Sequence, residues 1–83
     1  MADAAVIEMA NKLAEECLAV QSEIGNDRLF MEIGAELGTS SQTLEEAFLT
    51  AIRTRMAEQK GRALLARRLR EYRAQSAPAS GAQ

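Results

Sequence analysis

Residues 41–73 read SQTLEEAFLTAIRTRMAEQKGRALLARRLREYR, and this stretch decides the architecture. Leu44, Phe48, Ala51, Ile52 and Met56 recur at helical spacing and form one apolar stripe. Helix-start signals precede it: Thr39 with Gln42 and Thr43 with Glu46 both have the capping-box spacing, in which two side chains satisfy free backbone N–H groups reciprocally. No firm stop follows before Arg73, so the pattern predicts a third helix over 42–73, which if continuous extends about 45 Å, longer than a small bundle needs. The apolar stripe, however, fails beyond Met56. Arg55, Gln59 and Arg62 take the positions where it would continue, and Gly61 lies among them. Apolar character resumes at Ala63, Leu65, Leu69 and Tyr72, rotated around the axis. The stretch 58–62 is where this helix could break, which leaves two readings open, a fourth helix folded back on the bundle or an arm projecting past it.

Toward the N-terminus, Val6, Ala10, Leu13, Cys17, Val20 and Ile24 recur at spacings of four and three, which predicts a helix over about 3–23 with these residues on its inner seam. Gly25 is placed to take the left-handed conformation that ends it, and Asn26 or Asp27 to cap the next helix. That second helix is expected over 28–37, burying Leu29 or Phe30, Ile33 and Leu37, with Gly38 as its stop. Proline is absent until Pro78 and strand-type alternation is nowhere sustained. The fold class is therefore all-α: a small three-helix bundle, residues 4–56, with a basic helical C-terminal extension, together one domain over 1–73. Residues 74–83 are small and polar and are expected to be a disordered tail.

Composition narrows the chemistry. Of 39 apolar residues among 83, sixteen are alanine, so the core is thin and has no room for an enclosed active site. Histidine and tryptophan are absent and Cys17 has no partner, which argues against the commonest general base, zinc sites and an internal disulfide. Cys17 itself reads as a small core residue. There is no glycine-rich phosphate loop, the pairs Glu15–Glu16 and Glu45–Glu46 point to different azimuths, and Ser40 has no base to activate it. The expectation is a protein that is not an enzyme and takes no metal or cofactor. With no basic, apolar leader and no stretch approaching about 20 apolar residues, it is expected to be cytoplasmic.

Charge is the clearest nonrandom feature. Residues 1–46 carry ten acids and two bases, residues 47–83 eight bases and two acids. One explanation is internal, with the basic end pairing with the first helix and complementing the negative pole of its own helix C-terminus. The other assigns the basic helix to a partner. Leu64, Leu65, Leu69 and Tyr72 would then be apolar anchors, while Arg55, Arg62, Arg67 and Arg68 steer association and fix register. Glu58, Glu71 and the lack of bulky aromatics argue against an anionic membrane surface as that partner. The expected role is an adaptor, chaperone subunit or regulator that binds another protein or a second copy of itself.

Residues 33–48, IGAELGTSSQTLEEAF, set Ile33, Leu37 and Leu44 around Gly38, and resemble the first helix-turn-helix unit of AraC-type transcription regulators. The resemblance implies a DNA-binding alternative, in which the helix starting near Ser41 enters the major groove. Gln42 and its neighbours would reach base edges, Ser40 or Thr43 a phosphate, and Arg53 and Arg55 would supply further phosphate contacts. Glu45 and Glu46 occupy the exposed first turns of that helix and carry the wrong sign for a phosphate backbone, which disfavours nucleic acid as partner.

Overall fold

Asp3 opens the first helix: its Oδ1 accepts a hydrogen bond from the Val6 N–H at 2.9 Å, satisfying one of the unpaired donors of the first turn. The computed structural model describes residues 3–76, which form three helices, α1 (Ala4–Ile24), α2 (Leu29–Gly38) and α3 (Gln42–Ser76), with no strand among the described residues. The fold is a small all-α bundle.

Gly25 closes α1 at φ 69, ψ 28, and its N–H and that of Asn26 both turn back to the Gln21 carbonyl. Gly25 is the only described residue with positive φ. Gly25→Ala is expected to cost about 1 kcal/mol, read as a lower urea midpoint with unchanged helicity, because an L side chain disfavours this conformation.

The inner face of α1 is Ala10, Ala14, Cys17 and Gln21, all buried. Val20 and Ile24, placed on the inner seam by their spacing, are instead 45% and 58% exposed. A strict alternation of four and three advances by seven residues per two turns, whereas a straight helix needs 7.2, so the seam drifts by about 20° per heptad. By the third heptad the inward position has passed from Val20 to Gln21.

Asn26 Oδ1 accepts from the Arg28 N–H at 3.1 Å and shapes the turn, but it does not cap α2, which starts one residue later than expected and has no cap from its own flank. Leu29, Phe30, Ile33 and Leu37 all pack partly buried against the core. Gly34 is the contact point with α3, where a Cβ would lie 3.1 Å from Leu49 Cδ2. Gly38 does not stop α2 by a left-handed turn. It is the last helical residue, and its lack of a side chain makes room for Glu45, whose Oε1 would stand 2.5 Å from a Cβ there. The helix ends instead through Thr39, whose Oγ1 donates to the Glu36 carbonyl at 2.7 Å, and through the Ser40 and Ser41 N–H groups, which both donate to the Leu37 carbonyl. Neither capping box forms. Ser41 Oγ caps α3 by accepting from the Leu44 N–H at 3.1 Å.

Gly34 against Leu49 and Gly38 against Glu45 show α2 and α3 running in opposite directions. The tight turn at Gly25 reverses α1 into α2, so α1 and α3 run the same way. Phe48 and Ile52, both fully buried, fill the space left by Ala10, Ala14, Cys17 and Ala51.

At 58–62, where the pattern left a break open, the helix runs on, and α3 is one helix of 35 residues, about 52 Å long. Loss of packing at 58–62 is not loss of helix. Gly61 costs about 1 kcal/mol relative to alanine, but its neighbours are strong helix formers, and Glu58–Arg62 (2.9 Å) and Arg68–Glu71 (3.1 Å) pair one turn apart. Every residue from 57 to 76 is exposed, so this segment is an arm and not a fourth bundle helix. The radius of gyration, 18.6 Å, exceeds the roughly 12 Å of a compact chain of this length. The expected tail is corrected at its start: Ala74, Gln75 and Ser76 are helical, and the rest of it, 77–83, lies outside the described residues.

Candidate partner-binding arm

With about 100° between successive residues, Leu65, Leu69 and Tyr72 fall within a sector of about 60° on the arm, at the i, i+4, i+7 spacing of a docking helix. They are 71%, 46% and 67% exposed. Leu64 lies a quarter turn away from Leu65 and belongs to a different face of the helix. Arg62 and Arg73 border the stripe on one side and Arg68 on the other, while Arg67 projects from the opposite half of the helix. The ion pairs of Arg62 and Arg68 are solvent-exposed and contribute at most about 0.5 kcal/mol each. Both guanidinium groups therefore remain open to exchange these partners for others.

Arg55 departs from the arrangement expected of it. Its Nη2 donates to the Asn11 carbonyl of α1 at 3.3 Å, and its Nε is buried without a partner. The side chain is held between the two helices, two residues before the arm begins, and is not one of the arm's open cations.

Ser40, Gln42, Thr43, Glu46 and Arg53 are exposed, whereas Glu45 is half-buried against Gly38. About eleven residues, or 16 Å of helix axis, separate Gln42 from Arg53. Along the chain the bases nearest the turn are Arg28, at the far end of α2, and Arg53.

Two features escaped the reading of the chain. The first is Gln21, a polar residue at the C-terminal end of the α1 core face. Its Oε1 accepts from the Phe30 N–H at 2.7 Å, capping α2 from a neighbouring helix, and lies 3.9 Å from the Cys17 Sγ donor. Its signal was its phase, four residues after Cys17. The second is an open groove of about 640 Å³ between α1 and α3, with Ile7 and Asn11 on one wall and Ala47, Thr50 and Thr54 on the other. Glu46 and Glu58 stand at its margin. Its signal is a run of small residues, Thr43, Ala47, Thr50 and Thr54, at helical spacing. Cys17 donates to Gln21 and takes no part in the groove: burial pushes its thiol above the ordinary value of 9.0 and keeps it protonated near neutrality.

No helix among the described residues is long and apolar enough to cross a membrane. No protein-family model, curated protein or solved structure matches the chain.

Proposed function

We propose that this chain is a small non-enzymatic interaction module of the cytoplasm, an adaptor, chaperone subunit or regulator, that binds a protein partner through the arm of α3. The carrying observation is the helix that continues for 20 residues past Met56, its last residue packed on the core, and keeps Leu65, Leu69 and Tyr72 in solvent between arginines. A helix face of this kind gains by burying its leucines in a groove, while its cations steer encounter and fix register. The DNA-binding alternative has less support, because Arg55 is engaged with α1 and Glu46 is exposed on the helix that would enter the groove.

Leu65→Ser combined with Leu69→Ser is expected to weaken partner capture, a second copy included, by at least tenfold. Helicity by circular dichroism should fall little, since neither leucine supports the bundle. Collapse of the helical signal across the whole chain would identify these leucines as core and end this reading. Fluorescence anisotropy with mixed-sequence duplex at low salt is expected to show no binding. Binding that falls steeply with salt would move the assignment to DNA.

A further inference from the structure

Along one side of α3, Thr54, Thr50, Ala47 and Thr43 lie 4, 8, 11 and 15 residues before Glu58, and Leu65, Leu69, Tyr72 and Ser76 lie 4, 8, 11 and 15 residues after Gly61. The first set lines the groove beside α1, and Leu65, Leu69 and Tyr72 of the second form the exposed stripe of the arm. At three of these four pairs a small residue before the midpoint mirrors a large one after it, while the outermost pair, Thr43 and Ser76, is small on both sides. We propose that the occupant of the groove is the arm of a second copy of this chain, exchanged reciprocally in an antiparallel dimer about a two-fold axis between Glu58 and Gly61. This rests on the reading of the arm as a docking helix and names its partner.

A two-fold axis there sets Leu65 of the partner subunit over Thr54, the partner's Leu69 over Thr50 and the partner's Tyr72 over Ala47, with Ile7 as the wall they pack on. Large side chains meet small ones at each position, and both arms are seated at once, as an isologous contact requires. Gly61 has no intramolecular role: a Cβ there would meet nothing within 4 Å. Glycine is the poorest helix former after proline, and at the midpoint it removes the side chain where the two helices cross most closely.

Charge selects the groove over arm-on-arm pairing. The arm, residues 57–76, carries six basic and two acidic residues, so two arms side by side repel. The groove is lined by Glu46 and Glu58 against one base, Arg55, which is engaged with the Asn11 carbonyl; Glu15 lines the adjoining crevice, and residues 1–46 hold an excess of eight acids. In the antiparallel register the partner's Arg73 falls at the axial level of Glu46.

Sedimentation equilibrium of the full chain across micromolar concentrations is expected to give twice the 9.0 kDa chain mass. Leu65→Ser with Leu69→Ser is expected to weaken that association at least tenfold while remaining helical. A wild-type chain that stays at 9.0 kDa overturns the dimer. If the double-serine variant is then still folded, the arm remains a docking helix for a different protein; if it unfolds, that reading fails as well. In a Cys17→Ala background, chains carrying Thr54→Cys mixed with chains carrying Leu65→Cys are expected to form the mixed disulfide under mild oxidation. Leu65→Cys chains pairing with themselves at least as readily would place arm on arm and overturn the groove assignment.

Discussion

Replacing Phe48 with alanine is expected to lower the stability of the bundle by about 3–5 kcal/mol, the largest effect of any single substitution in the described residues. Phe48 and Ile52 are the two large side chains that are fully buried, and the rest of the core is three alanines and a cysteine. Alanine on α1 cannot expand into the space that Phe48 leaves, so the cavity persists and adds to the lost transfer energy. A chain of this length has on the order of 4–12 kcal/mol of total stability. The variant is therefore expected to be largely unfolded at modest urea, followed by far-ultraviolet circular dichroism. An unchanged midpoint would mean that Phe48 is not the centre of the core.

The second expected result concerns Gln21. Gln21→Leu conserves volume and apolar fit, yet it removes the acceptor that pairs with the Phe30 N–H at 2.7 Å. That donor lies in the first turn of α2, where no helical carbonyl is available and Arg28 provides no cap. Leaving it unpaired is expected to cost about 1–3 kcal/mol despite the more hydrophobic side chain. Urea titration measures the loss, and faster amide hydrogen exchange at Phe30 and Met31 localises it. A leucine variant as stable as the wild type would show that water replaces the glutamine without penalty.

Why a sequence shows one of these residues and hides the other follows from their chemistry. Phe48 announces itself by spacing with Leu44 and Ile52, as does the helical identity of all three segments. Gln21 is hidden because polarity patterns treat it as surface, while its function depends on a backbone N–H nine residues later in another helix. Val20 and Ile24 were placed inward by a heptad rule that suits supercoiled helices better than a straight one. The arm was half legible: the disappearance of the apolar stripe after Met56 correctly marked the end of the bundle, but helix propensity, not packing, decides whether the backbone continues. Ala57, Ala63, Leu64, Leu65 and Ala66 carry it through Gly61. The groove is not a property of any one segment, since Ile7 and Thr54 meet only once α1 and α3 lie side by side.

Partner binding by the arm requires α3 to be one rigid helix whose second half stands clear of the bundle. Spin labels at Thr54→Cys and Arg73→Cys in a Cys17→Ala chain, diluted into an excess of unlabelled protein, measure this directly by pulsed dipolar spectroscopy. A continuous helix places the two backbone sites about 28 Å apart, and a single narrow distribution near that distance is expected. A distribution centred below about 15 Å, the separation expected of a segment folded back beside the first half at helix-packing distance, would contradict the arm and return Leu65, Leu69 and Tyr72 to the core.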